Sequence, residues 1–193
     1  METLPPGTVQ AQLPPDTLEH YRQLESFVGT KIAASPGAFA LIAVDLERLK
    51  EINDMYGHME GTRYIQNALD VLRSYVRSGD DEARSADSVV PGQALHTSGD
   101  EFWVVLEDTT EQSGVDAFTS RIQQALDDLG IGAAIGGRVH QPGESAARLI
   151  VMADALMYRN KLERVPELNR AAEERFLGAV ATIQALGISV RSV

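Results

Sequence analysis

The sequence predicts an α/β sandwich, one mixed β-sheet with helices packed on it. Three observations carry that reading. "AFALIAV" (38–44) is a short continuous apolar run, the signature of a central strand. "ALHT" and "EFWVVL" flank Ser98-Gly99 as the arms of a β-hairpin. Around them, apolar residues recur at helical spacing.

In chain order, residues 1–16, "METLPPGTVQAQLPPD", are proline-rich and aperiodic, and read as a flexible tail. Leu18, Tyr21, Leu24, Phe27 and Val28 then mark a helix within 17–36, broken at "SPG". The first strand ends at Asp45. Residues 46–61 read as a short helical turn followed by glycine punctuation. A helix is expected from Thr62 to Val76, with Thr62 as its cap. "RSGDDEARSADSVVPGQ" (77–93) reads as a long polar loop before the hairpin. Val115, Phe118, Ile122, Leu126 and Leu129 mark another helix. "GIGAAIGGRV" (130–139) is a glycine-rich strand, and residues 144–161 are an amphipathic helix. A last helix over 167–186 and a terminal strand "GISVRSV" are expected after Pro166.

Composition narrows the function. A chain of 193 residues fits one domain with appended helices. It has no cysteine, which rules out a disulfide scaffold or a thiolate zinc site. No apolar run reaches the roughly 20 residues that span a bilayer, and no signal-peptide pattern opens the chain, so a cytoplasmic location is expected. A formal net charge of -11 argues against a nucleic-acid partner. It leaves room for a small phosphorylated ligand held by a few basic residues and a metal.

The acids suggest where such a ligand would sit. Asp45 ends the first strand, and Asp100 and Glu101 follow Ser98-Gly99 at the hairpin tip. If those strands are neighbours, their carboxylates reach one edge of the sheet. Mg²⁺ favours this kind of site, taking one or two carboxylates plus substrate phosphates. Gly99 would let the backbone approach a phosphate, and Lys50 and Lys161 could supply positive charge. An acid at a strand end is often no more than solvated.

Four blocks resemble the GGDEF domain of diguanylate cyclases: "LIAVDLERLKEINDMYGHMEG", "HTSGDEFWVVL", "AAIGG" and "RLIVMADALMYRNK". They stand in the family's order and cover roughly residues 38–165. The resemblance implies a palm-like, ferredoxin-like sheet binding one GTP per subunit with Mg²⁺ or Mn²⁺. In a homodimer, each 3′-hydroxyl would attack the other subunit's α-phosphate to give cyclic di-GMP. It also sets the expected domain limits: a GGDEF-like domain over 37–166, with 167–193 as a C-terminal helix and strand.

Residue by residue, Asp45 and Asp100 match the family's metal ligands, with the Leu46 carbonyl assisting. Glu101 matches the second signature acid beside the reacting centre, Asn53 a guanine and ribose contact, and Lys50 and Lys161 triphosphate contacts. Ser98 and Gly99 stand at the signature glycines. The departures are specific. Ser98 replaces a glycine, and His96 replaces an arginine. Thr62 stands where the family has an aspartate that reads guanine. The arginine expected after Lys161 is absent or shifted to Arg164. The "DxLTxLxNR" motif has no match before residue 38. Two RxxD pairs, Arg77 with Asp80 and Arg84 with Asp87, are candidates for a product-inhibition site, but neither has the family's spacing.

Two functions remain open on the sequence. One is a nucleotidyl cyclase using GTP, ATP or both. The other is a catalytically degenerate module that senses a nucleotide or binds a protein partner. A palm-type polymerase relative shares the two-carboxylate logic but lacks the "INDxYGH" block.

Overall fold

The apolar run beginning at Phe39 forms an inner strand of a five-stranded sheet. The computed structural model describes residues 15–34, 39–77 and 90–164. In chain order the elements are α1 (Pro15–Ala34), β1 (Phe39–Leu46), α2 (Leu49–Tyr56), α3 (His58–Tyr75), β2 (Val76–Arg77), β3 (Val90–Ser98), β4 (Glu101–Glu107), α4 (Gln112–Asp128), β5 (Ala133–Val139) and α5 (Ala146–Arg164). Spatial order is β2-β3-β4-β1-β5. β1 runs antiparallel to both β4 and β5, and β3 antiparallel to β4, while the short β2 pairs parallel with β3. The sheet is therefore mixed. Each half is a split β-α-β unit, the ferredoxin-like arrangement that the family resemblance implies.

Alternation along β1 divides the core in two. Ala40, Ile42, Val44 and Leu46 face one side, where Leu69 and Leu72 of α3 and Phe118, Ile122 and Leu126 of α4 cover them. Phe39, Leu41 and Ala43 face the other, under Leu24 and Val28 of α1 and Leu149, Ile150, Ala153 and Met157 of α5. A strand buried on both faces has no polar alternation, which is why "AFALIAV" is continuously apolar. The outer edge of β5 is closed by side chains: Asn160 Oδ1 accepts the Ile135 amide at 3.1 Å, and Gln112 bonds Val139 N and the Gly137 carbonyl.

Several boundaries depart from expectation. The helix expected from Thr62 begins at His58, so Thr62 lies inside α3 and does not cap it. Its hydroxyl donates to the His58 carbonyl at 2.9 Å. Gly57, with φ 86°, makes the break between α2 and α3, and Gly61 is a helix residue. The ends of the expected 77–93 loop are strand: Arg77 pairs with Pro91, and β3 starts at Val90. The helix expected over 144–161 runs 146–164, because Glu144 turns back to accept the Gln141 amide. The helix and strand expected beyond Pro166 lie outside the described residues.

Candidate functional site

Asp45 is the last residue of β1 but one, and it carries the parity of Ala43, so its side chain stands on the α1/α5 face. Its cross-strand partner in β4 is Glu101. Glu101 shares the parity of Trp103 and Val105, which puts both carboxylates on one face of the sheet. Asp100 lies in the hairpin turn just beyond the ladder, and its carbonyl accepts the Leu46 amide at 2.8 Å. That bond fixes the hairpin tip against the end of β1. Gly99, with φ 48°, supplies the left-handed residue the tight turn needs.

The ends of α5 and α1 complete the edge. Lys161, in the last turn of α5, donates to Asp45 Oδ1 at 2.5 Å, with side-chain exposures of only 19% and 12%. Two turns earlier on the same stripe is Asp154. A cavity of about 80 Å³ is lined by Tyr21, Ala43, Val44, Glu101, Trp103, Asp154 and Met157. Burial pushes all of these acids upward. Asp45 is raised by burial against the opposing pull of Lys161. Glu101 is raised by burial, with Asp100 and Asp45 adding. Asp154 reaches about 6, through burial and then the charges of Glu101 and Asp45. The Tyr21 hydroxyl is raised by burial, with Asp154 and Glu101 adding. This edge is short of positive charge.

The other matched residues sit nearby in differing states. Ser98 Oγ donates to Glu101 Oε2 at 3.4 Å. His96 donates to the Gly99 carbonyl at 3.0 Å and stacks on Phe102, so it braces the hairpin. Lys50 is exposed on the first turn of α2. Asn53, on α2, is packed against Gly61 of α3, so closely that a Cβ there would meet Asn53 Oδ1 at 2.0 Å. Thr62 is the next residue along α3 and is exposed. Arg164 is engaged away from the carboxylates, donating to Glu47 and Asp127 at 3.2 Å each. Of the two RxxD pairs, Arg77 belongs to β2, while Asp80, Arg84 and Asp87 lie outside the described residues.

Sequence reasoning missed Asp154 and Tyr21. The signal for Asp154 was a carboxylate inside an otherwise apolar stripe, between Ala153 and Met157. Tyr21 gave none, since an aromatic at helical spacing reads as core. Arg48, at the turn out of β1, adopts left-handed φ 65° and bonds Glu51 at 3.0 Å. Such strain gathers beside functional sites.

The donor set suits a hard divalent cation, because Asp45 already holds an ammonium cation and the neighbouring donors are carboxylate oxygens. Among the described residues, no group of three or more His, Cys, Asp or Glu side chains is arranged to hold a metal unaided.

Comparison with known proteins identifies the family. Among curated relatives, the diguanylate cyclase DgcS of Shewanella oneidensis is 28% identical over 131 residues, covering 65% of this chain and 40% of its own length. The probable diguanylate cyclase DgcJ of Escherichia coli is 26% identical over 134 residues, covering 68% and 25%. The chain thus spans less than half the length of these relatives. Among solved structures, a sensory box/GGDEF family protein from Caulobacter crescentus is 26% identical with a TM-score of 0.56, covering 76% of this chain and 92% of that one. The GGDEF domain of DgcB from Caulobacter crescentus, solved in complex with c-di-GMP, is 21% identical with a TM-score of 0.59, covering 72% and 81%, and shares the fold. Among the described residues no helix is long and apolar enough to cross a membrane. The family model "Diguanylate cyclase, GGDEF domain" matches residues 21–165, and the chain belongs to that family.

Proposed function

We propose that the chain is a nucleotidyl cyclase that binds GTP, ATP or both with Mg²⁺ or Mn²⁺ and joins two nucleotides into a cyclic dinucleotide. The observation that carries the reading is the meeting of Asp45, Asp100 and Glu101 at one sheet edge, with Lys161 reaching in from α5. When bound, the divalent cation would neutralise phosphate charge and polarise the reacting oxygens. Asp45 and Asp100 would hold it, with the Leu46 carbonyl assisting. Glu101 lies beside the reacting centre, and Lys50 and Lys161 bind the triphosphate. Two subunits would meet face to face in a homodimer, each supplying one nucleotide.

Base choice would rest on Asn53 and Thr62. The Thr62 hydroxyl spends its proton on the His58 carbonyl, which leaves its oxygen free only to accept. An acceptor can take a hydrogen from the exocyclic amine of guanine or of adenine. A buried carboxylate would instead demand the paired donors of guanine. Relaxed selectivity follows, and with it adenine-containing or mixed products. A competition titration of GTP against ATP on wild type and Thr62→Asp tests this. A wild-type preference for GTP above about a hundredfold, unchanged by the substitution, would refute it.

A second reading is favoured by Arg164. Its guanidinium is committed to Glu47 and Asp127, so a phosphate would have to compete for it. On that reading the chain is a degenerate module that senses a nucleotide or docks a protein. Incubation with Mg²⁺ and each NTP, alone and in pairs, with products resolved by mass, separates the two. Feedback inhibition by cyclic di-GMP is expected to be weak under either, because the RxxD pairs lack the family's spacing.

A further inference from the structure

The contact between Lys161 and Asp45 says more than that a lysine lies near the site. Lys161 Nζ sits 2.5 Å from Asp45 Oδ1, and both side chains are largely covered. The surroundings are one-sidedly acidic. Glu101 is the cross-strand neighbour of Asp45, Asp100 adjoins it at the turn, and Asp154 lines the same cavity as Glu101. Arg164, the other cation in the last turn of α5, is held by Glu47 and Asp127. An ammonium that leaves Asp45 therefore strands a covered carboxylate among like charges, unless another cation arrives.

A divalent cation arriving alone creates the converse difficulty. It displaces Lys161 from its carboxylate, and the two cations then stand side by side. A triphosphate removes that conflict, since its oxygens give the displaced ammonium a new anionic partner. We propose that Lys161 is a resident counter-ion that occupies the cation position at Asp45 until a metal–triphosphate complex replaces it, so that cation and nucleotide enter as a unit. This rests on the reading of Asp45 and Asp100 as metal ligands, and it adds an order of binding to that reading. Coupling of this kind is reciprocal: whatever factor the nucleotide adds to metal affinity, the metal adds to nucleotide affinity.

The test uses the 193-residue chain and two probes at pH 8: Mn²⁺ alone, followed by electron paramagnetic resonance, and the preformed Mn²⁺ complex of the α,β-methylene analogue of GTP, followed by calorimetry. Lys161→Met removes the competing charge. It is expected to tighten binding of Mn²⁺ alone by about tenfold or more, and to weaken binding of the Mn²⁺–nucleotide complex. These opposite signs are the signature, because a lysine that only contacts phosphate would leave metal binding unmoved. Lys161→Gln keeps a hydrogen-bond donor for Asp45 without charge, so it should repeat the effect and serves if the Met variant folds poorly. Lys161→Arg keeps the charge and should bind Mn²⁺ alone as weakly as wild type. Unchanged Mn²⁺ affinity in the Met and Gln variants would overturn the proposal while leaving the metal site standing. Failure of every variant and of wild type to bind Mn²⁺, with or without nucleotide, would overturn the metal reading itself and this inference with it.

Discussion

Gly136 is where the sheet and α5 meet without room for a side chain. A Cβ built there would lie 1.9 Å from the Met157 amide nitrogen and 2.3 Å from the Leu156 carbonyl carbon. Non-bonded carbon contacts settle at about 3.5–4.0 Å, so Gly136→Ala requires α5 and β5 to separate by roughly 1.5 Å. The obstacle is helix backbone, so no rotamer change relieves it. Overpacking of this kind costs about 1–3 kcal/mol, and in a chain of this size each kcal/mol lowers Tm by about 2–4 °C. The expected drop is therefore about 2–12 °C. The functional loss should be larger than the stability loss implies. α5 carries Lys161, and its neighbour Asn160 anchors the helix to the Ile135 amide. A helix pushed outward draws the lysine off Asp45. Urea denaturation and binding of a metal–nucleotide complex are the two readouts. Gly114→Ala is the control, because the new Cβ there meets only Thr109 Cγ2 at 3.7 Å. It should be neutral or stabilising. A Gly136→Ala protein within about 0.5 kcal/mol of wild type would refute the reasoning.

Gly61→Ala should separate stability from binding. Its Cβ would strike the Asn53 amide tip, which can rotate away, while alanine is the better helix former by about 1 kcal/mol. We expect unchanged or raised Tm with weakened nucleotide affinity, and equal affinity in the two proteins would count against Asn53 as a base contact. Asp154→Asn should stabilise the protein in a pH-dependent way. The folded pKa of about 6 lies above the unfolded value of 3.8, so wild type loses stability as pH rises through that window and the loss is complete above it. The variant's advantage should grow from near zero at about pH 3 to at most about 3 kcal/mol above pH 7, read from urea curves across pH, and a flat difference would contradict the assignment. Asp100→Asn should abolish Mg²⁺-dependent nucleotide binding while leaving the circular dichroism spectrum unchanged, and retained affinity would remove Asp100 from the site.

How far the site could be read in advance depended on which contacts are local. The strand 38–44 and the hairpin were legible because a doubly covered strand leaves a continuous apolar run and a tight turn leaves a glycine. The α3 boundary was not. Gly61 reads as a break, yet it lies inside the helix, and it is glycine there because the Asn53 side chain occupies the space a Cβ would take. Register was hidden as well. The unbroken β1–β4 ladder pairs Glu101 with Asp45, while Asp100 falls in the hairpin turn beyond it. Counting along the sequence could not separate the two acids. The charge balance depended on longer reaches still. Arg164 meets Glu47 across 117 positions, and Lys161 meets Asp45 across 116. Both arise because α5 runs back along β1 and ends at its far edge, where α1 also contributes Tyr21. The same packing that hid these contacts gives the edge its chemistry. It gathers carboxylates from β1, the hairpin and α5 onto one face and commits one of the two cations in the last turn of α5 elsewhere. Lys161 supplies, from within the fold itself, the cation that balances Asp45 at this acidic edge.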